Sequence, residues 1–129
     1  MTQELPKNEW KNYFDELSIE YIDWETKVEI LNSSIGVQVL TEGLPLNGIT
    51  YEERNGQGKI EIIVGNNAKD HQTHSVADPI RVYSRQERDQ RGEIIEIEDA
   101  DGKKTIVHIV RPISVLTKYV EAEFIEIGV

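Results

Sequence analysis

The clearest pattern in the chain lies between residues 93 and 110, where polar and apolar residues alternate on both sides of an Asp-Gly pair. Alternation with a period of two predicts β-strands with one buried face, and β-branched residues favour strands. An Asp-Gly pair between two such runs is a strong signal for a tight turn. We therefore predict a β-hairpin that turns at Asp101 and Gly102.

The register of this hairpin decides where its histidine lies. A two-residue loop, Asp101-Gly102, places His108 on the same face as Ile95. A three-residue loop, 100–102, shifts the pairing by one residue and moves His108 to the face of Ile94 and Glu96. The opposite, more apolar face is then formed by Ile95, Ile97, Thr105, Val107 and Ile109. We expect this second register, with His108 away from the core and the hairpin acting as scaffold rather than as a site.

A helical period replaces the alternation near the N-terminus. Asn8 is a suitable helix cap, and large apolar side chains follow it at helical spacing. These side chains are Trp10, Tyr13, Phe14 and Leu17. We predict one amphipathic helix whose aromatic side covers an open face of a sheet.

Further alternating runs predict the other strands. They lie at 24–30, 36–41, 49–54, 59–64, 73–76 and 80–85. Pro45 cannot donate a hydrogen bond to a central ladder, so we expect the segment 43–48 to interrupt the sheet. The polar segment 65–72 is predicted to be a loop, and the charged segment 86–92 a connector.

The segment after Pro112 has two interpretations. Residues 113–120 fit a helical turn, whereas residues 119–127 alternate as a strand does, and we favour the strand. The whole pattern predicts an α+β fold, in which one N-terminal helix packs on a curved, mainly antiparallel sheet or a partly open barrel. We expect a single domain over residues 1–129, with a core of about 5–112 and the tail 113–129 as an added strand.

Charge narrows the classes of partner. The chain has 14 Lys and Arg against 24 Asp and Glu, a formal net charge of -10. This charge repels nucleic acids and anionic membranes, so we expect neither as a partner. The common reason for an acidic balance is solubility, and the alternative is that the charge attracts a basic partner or mimics a polyanion.

The residue types also narrow the chemistry. The chain has no cysteine, which excludes disulfides, thiolate metal sites and thiol nucleophiles. The N-terminus lacks the pattern of a secretory signal, and no apolar run is long enough for a membrane span, so the expected location is the cytoplasm.

Motifs for catalysis and for cofactor binding are missing. There is no Gly-x-Ser-x-Gly elbow and no phosphate-binding Gly-rich loop. The Asp99-Ala100-Asp101-Gly102 stretch resembles the start of a calcium loop, but a β-strand follows where further ligands are needed. His71 and His74 are spaced as metal ligands can be, within a polar stretch that gives them no reason to converge. We expect no catalytic residue, no metal and no cofactor.

Four arginines form the one basic concentration of the chain: Arg81, Arg85, Arg88 and Arg91. On a strand, Arg81 and Arg85 share a face with Tyr83, and such a basic, aromatic surface suits a carboxylate or phosphate. With His74, which we expect in the mouth of the curved sheet, the candidate ligand-binding residues are His74, Arg81, Tyr83 and Arg85. The alternative is an exposed strand edge that is protected by charge.

Three stretches in this order resemble a family of small bacterial proteins that is catalogued only as a domain of unknown function. They are the Trp10-x-x-Tyr13-Phe14-Asp15 helix, the Leu44-Pro45-Leu46-x-Gly48-Ile49 turn, and the Thr73-His74-Ser75-Val76-x-Asp78-Pro79-Ile80-Arg81-Val82 stretch. The resemblance covers Leu5 to about Pro112, and the tail beyond it is longer than the family pattern. It implies one domain in a bacterial cytoplasm and supplies no activity or cofactor.

The function favoured by these observations is a non-enzymatic protein-binding or scaffold module, with self-association as one form of it. The missing catalytic motifs favour a protein that is not an enzyme, without deciding the question. One alternative is a small-ligand or metal-binding protein that uses the region of His74 and Arg81. Another is an acidic inhibitor of a basic or DNA-binding protein, and its binding would be lost when the salt concentration is raised.

Overall fold

The structure, a computed structural model, describes residues 2–67, 69–86 and 92–113. A short 3₁₀ helix at Lys7–Glu9 leads into the helix α1, Trp10–Glu20. The strands are β1 Thr2–Glu4, β2 Trp24–Asn32, β3 Gly36–Arg54, β4 Gln57–Asn67, β5 Asp70–Ala77, β6 Pro79–Gln86, β7 Glu93–Asp99 and β8 Lys104–Pro112. No helix in these residues is long and apolar enough to cross a membrane.

All eight strands form one antiparallel sheet in the order β1-β6-β7-β8-β2-β3-β4-β5. The sheet curls strongly, because the backbone of Asp78 joins strands that are far apart in this order. Its N–H donates to the Gly58 carbonyl and its carbonyl accepts from Ala100 N–H, both at 3.0 Å. The sheet is nevertheless not closed into a barrel. The α+β prediction is confirmed at this level, with a larger share of β-structure than the pattern indicated.

The helix α1 lies where the pattern placed it, and its apolar side faces the core. Trp10, Phe14 and Leu17 are buried, and the Trp10 indole donates to the Leu5 carbonyl at 2.9 Å. The predicted cap at Asn8 is wrong. Asn8 lies inside the 3₁₀ helix, whose own turn provides the entry into α1, and no side-chain cap bond is formed.

One cluster of buried side chains, drawn from the helix and from seven of the strands and their flanking residues, fills the concave side of the sheet. Its largest fully buried members are Trp10, Tyr21, Phe14, Leu46, Ile49, Ile60, Ile62, Ile95, Ile97 and Ile109. Buried and less buried positions alternate most regularly along β7 and β8, as expected for a sheet with one covered face. Burial of these side chains is the main stabilising contribution, at about 1.5–3 kcal/mol for each large one.

The predicted interruption at Pro45 is wrong, because β3 runs through it without a break. Pro45 is opposite Glu25 at the last pair of the β2–β3 ladder, a position where a missing N–H costs little. Beyond it β3 changes partner, from β2 to β4, with a register shift between the pairs of Leu46 and Gly48. The proline therefore marks an exchange of neighbours within one bent strand.

Two other segments differ from the predictions. Strand β1 was not predicted, since three exposed residues carry no pattern. The predicted loop at 65–72 is largely strand, because β4 continues to Asn67 and β5 begins at Asp70. Backbone pairing holds these polar residues in the sheet, although their side chains give no alternation.

The predicted hairpin is confirmed in its second register. Ile95 is opposite Val107 and Ile97 is opposite Thr105, as a three-residue loop requires. Gly102 has φ +84°, a value that favours glycine, and the Asp99 carboxylate accepts hydrogen bonds inside the turn. His108 lies opposite Ile94, on the face away from the core. The interpretations of 87–91 and of 114–129, including Arg88, Arg91 and the favoured tail strand, fall outside the described residues.

Candidate functional site

The convex side of the sheet, which we call the outer face, carries three rows of side chains from paired positions. One row runs Thr2, Arg85, Ile94, His108, Lys27, Glu42; the next runs Glu4, Tyr83, Glu96, Ile106, Glu29, Val39; the third runs Arg81, Glu98, Lys104, Leu31, Val37. Paired residues share a face, so the strand register alone brings these residues together. The three rows cross six strands.

A groove of about 180 Å³ lies in the middle of the outer face. Its lining comprises Thr2, Glu29, Tyr83, Arg85, Ile94, Glu96, Ile106 and His108. Ile94 and Ile106 are half-buried, and they form an apolar floor between charged neighbours. The hairpin that we expected to be scaffold only therefore supplies four of the lining residues.

The shortest polar contact of the groove joins His108 and Glu29, whose Nε2 and Oε1 atoms are 2.6 Å apart. Both side chains are mostly shielded from water, with 28% and 14% exposure. Strands β8 and β2 position them, and Lys27 lies 4.0 Å from the other oxygen of Glu29. A histidine held by a carboxylate can exchange a proton, but an enzyme would also need a nucleophile or an electrophile beside it.

The basic and aromatic residues of β6 do share a face, as the sequence predicted. Tyr83 and Arg85 line the groove, whereas Arg81 lies outside it. Arg81 pairs with Glu98 at 2.7 Å, and this hydrogen bond raises the pKa of its guanidinium. The alternative interpretation of a charged edge is wrong for 83–85, because β1 pairs with these residues.

His74 lies in another part of the molecule. It is on β5 opposite Ile62, on the core side of the sheet, and it does not line the groove. Its Nε2 atom is buried without a hydrogen-bond partner among the described residues, and burial lowers its pKa. Of the four candidate residues, Tyr83 and Arg85 therefore line the groove. Arg81 lies on the same face outside the groove, and His74 lies on the core side of the sheet.

The outer face has a charge balance unlike that of the whole chain. Its three rows hold five carboxylates, Glu4, Glu29, Glu42, Glu96 and Glu98, against four cations, Lys27, Arg81, Arg85 and Lys104. It also exposes apolar surface, since Val37 and Val39 are 61% and 51% exposed. Leu31 and Ile106 continue this apolar surface toward the groove. A chain of net charge -10 therefore has one broad face that is nearly neutral.

A second polar cluster was missed by the sequence reasoning. The Glu93 carboxylate accepts hydrogen bonds from Tyr13 at 2.7 Å, Ser84 at 3.0 Å and Tyr21 at 3.1 Å. These residues come from α1, its C-terminal end, β6 and β7, and no motif links them. Burial and the nearby Glu93 charge raise the pKa of both tyrosines, that of Tyr21 to about 12. The cluster ties the helix to the sheet.

Other places offer less chemistry. A hollow of about 350 Å³ at the β3–β4 turn is lined by charged and turn residues such as Glu52, Arg54 and Lys59. Within residues 2–67, 69–86 and 92–113, no three His, Asp or Glu side chains converge as metal ligands do. The expectations of no metal and no cofactor stay predictions.

Comparison with known proteins supports the resemblance seen in the sequence. Residues 1–118 match the model of a family of unknown function (DUF5335), so the match extends past Pro112 into the tail. An uncharacterized protein of Aquifex aeolicus (strain VF5) is 30% identical over 108 residues, which is 84% of this chain and 91% of that protein. No solved structure matches the chain. By its sequence, the chain belongs to this family of unknown function.

Proposed function

We propose that this protein is a non-enzymatic protein-binding module, and that its partner docks on the outer face of the sheet. The observation that carries the proposal is the exposure of Val37 and Val39 beside Leu31 and Ile106. Exposed, contiguous apolar side chains with a polar surround are typical of interaction sites. Val37 and Val39 keep more than half of their surface exposed, and Leu31 and Ile106 are half-buried beside them.

The size and shape of this surface favour a protein over a small molecule. Sites for small molecules usually enclose about 300–1,000 Å³, and the groove on the outer face encloses about 180 Å³. The apolar side chains extend from the groove to the end of the β2–β3 hairpin rather than lining one cavity. A flat protein surface can contact all of them at once.

The charges of the outer face indicate the chemistry of the partner. Several of them already pair with each other, as Arg81 does with Glu98 and His108 with Glu29. A strongly basic partner would also meet the four cations of this face, which oppose its approach. We therefore propose a partner surface with an apolar centre and mixed charges, whose binding changes little with salt.

Site-specific photo-crosslinking in cells that make the protein tests this proposal. A photoreactive residue replaces Val37 in one variant and Ile19 in the other; Ile19 is an apolar residue of α1 that is 78% exposed. We expect the Val37 position to capture one defined protein, and Ile19 to capture none of it. Capture should persist at high salt and be lost when Val39→Asp is added. Equal capture at both positions, or loss of capture in salt, would contradict the proposal.

A small-ligand role is the second candidate, favoured by the convergence of Tyr83, Arg85 and His108 in the groove. Thermal-shift measurements with organic acids, nucleotides and divalent metals test it. If the protein binds a partner protein instead, no compound should raise the melting temperature. A rise that His108→Ala abolishes and His74→Ala preserves would favour the ligand role and count against the first proposal.

A further inference from the structure

Among the described strands, β5 lies at one end of the sheet, and it differs from β1 at the other end. β1 has three residues and carries Glu4, and such short, charged edges resist pairing with other chains. β5 has eight residues and pairs only with β4 among the described strands. Between residues 71 and 77 it contains no Asp, Glu, Lys, Arg or Pro. The usual protections of an edge strand are therefore missing from its central part.

The turn between β3 and β4 fixes which backbone groups of β5 face outward. Asn55 and Gly56 form a two-residue loop with φ 53° and 79°, so Arg54 and Gln57 are a hydrogen-bonded pair. Hydrogen-bonded pairs alternate along a strand, and Gly58 therefore directs its backbone toward β5. The 3.0 Å bond from Asp78 N–H to the Gly58 carbonyl agrees with this assignment.

The same alternation continues across the β4–β5 ladder, which has no register shift between Lys59 and Gly65. Ile60 is opposite Val76 and Ile62 is opposite His74, so these two pairs exchange hydrogen bonds. The residues of β5 that alternate with Val76 and His74 direct their N–H and carbonyl groups away from β4. These residues are Thr73, Ser75 and Ala77. Their side chains are small and exposed, and a second strand can approach closely.

We propose that β5 pairs with β5 of a second copy of this chain, antiparallel about a two-fold axis at Ser75. Ser75 then lies opposite Ser75 of the second copy, and Thr73 lies opposite Ala77 of the second copy. This register uses all the outward-facing groups of the three residues and gives about six backbone hydrogen bonds. The two sheets become one continuous sheet.

The self-complementary register of β5, rather than the net charge, favours a second copy as the occupant. Each chain carries a net charge of -10, so two copies repel each other over most of their surfaces. The central part of β5 holds no charged side chain of either sign, and it therefore allows close approach without direct repulsion. It also presents no charged side chain that would select a foreign segment. The register is self-complementary, because each residue meets its own symmetry mate or a small neighbour.

Charge-swap variants of the full chain test this pairing. We expect sedimentation equilibrium at about 0.1 mM protomer to give twice the 14.8 kDa of the chain. Ser75→Lys alone and Ser75→Asp alone should each be monomeric, because like charges meet at the two-fold axis. An equimolar mixture of the two should recover the dimer. Ser33→Lys and Ser33→Asp, in the exposed β2–β3 turn, are the matched controls and should remain dimeric.

A second measurement avoids charged substitutions, so it does not require that a charged variant still folds. The chain has no cysteine, so Ser75→Cys introduces a single thiol. Mild oxidation should link two chains of this variant rapidly, and should link Ser33→Cys at least about tenfold more slowly. A monomeric wild-type chain, dimeric Ser75→Lys and Ser75→Asp variants, or equal oxidation rates would each overturn the pairing.

This inference concerns a different surface from the proposed function, and the two can fail separately. Ser75→Lys should leave photo-crosslinking from Val37 unchanged, and Val37→Asp should leave the dimer intact. A dimer that Val37→Asp dissociates and Ser75→Lys does not would overturn the β5 pairing.

Discussion

The Glu93 side chain joins three other side chains across the fold. Its carboxylate accepts hydrogen bonds from Tyr13, Tyr21 and Ser84, at distances from 2.7 to 3.1 Å. Hydrogen bonds to a charged acceptor are stronger than neutral ones, at about 1.5–3 kcal/mol each. The arrangement also places a negative charge beside two phenols, which opposes their ionisation.

This arrangement predicts how the tyrosines titrate. Burial, followed by the charge and the hydrogen bonds of Glu93, raises the pKa of Tyr21 to about 12 and that of Tyr13 further. In the unfolded chain the tyrosines lose their protons near pH 10, at a lower pH than in the folded chain. The free energy of unfolding should therefore fall as the pH rises above that value. Absorbance titration should show the two residues ionising last.

The Glu93→Gln variant tests the assignment. Its loss of charge should lower the pKa of both tyrosines, with burial still holding them above 10, whereas Glu98→Gln on the outer face should change neither. Simultaneous ionisation of all five tyrosines near pH 10 in the wild-type chain would contradict the account.

At the residue scale, the sequence predicts correctly which face of the sheet a side chain occupies where the strand alternates regularly. Tyr83 and Arg85 were expected to share a face, and they do. His74 was placed in the same candidate set, but it belongs to β5 and faces the core side. The Glu93 cluster joins residues about 70–80 positions apart, and alternation carries no signal for such contacts.

Ser18 shows how a single hydroxyl joins two elements. At Ile49, β3 has left β2, so the outward backbone groups of that residue lack a strand neighbour. The Ser18 hydroxyl accepts from Ile49 N–H at 2.8 Å, and the same oxygen lies 3.0 Å from the Ile49 carbonyl and 2.7 Å from that of Phe14. The helix thereby continues the hydrogen bonding of the sheet.

Ser18→Ala should therefore destabilise the protein more than the loss of a surface hydroxyl. It leaves the buried Ile49 N–H without an acceptor, which costs about 1–3 kcal/mol. Ser33→Ala, in an exposed turn, should change the free energy of unfolding by less than about 0.5 kcal/mol. Urea unfolding measures both. Equal stability of the two variants would contradict the role of Ser18.

At the element scale, the most regular patterns were the most predictive. The hairpin of β7 and β8 has strict alternation and a glycine where φ is +84°, and its register followed from the apolar face alone. Strand β3 was divided at Pro45 because proline is unfavourable in a ladder. The sequence contains no sign that β2 ends opposite that residue.

At the scale of the whole molecule, the order of the strands was beyond prediction. β2 and β8 are adjacent although about 80 residues separate them, and this pairing completes the outer face. Nothing in the sequence indicates that His108 and Glu29 are in contact unless this pairing is known. The near-neutral charge of the outer face likewise follows only from the pairing. The composition gives a net charge of -10 and left a basic partner as one alternative, whereas the fold places a balanced, partly apolar surface on one side.

The dissociation constant for the protein captured at Val37 tests the central claim most directly. Calorimetry should give a value at least about tenfold higher for Val37→Asp than for the wild-type chain, and within about twofold of wild type for Ile19→Asp. It should change by less than about threefold between about 0.05 and about 0.5 M NaCl. Equal affinities of Val37→Asp and the wild-type chain, or binding that high salt abolishes, would contradict a partly apolar docking surface on the outer face.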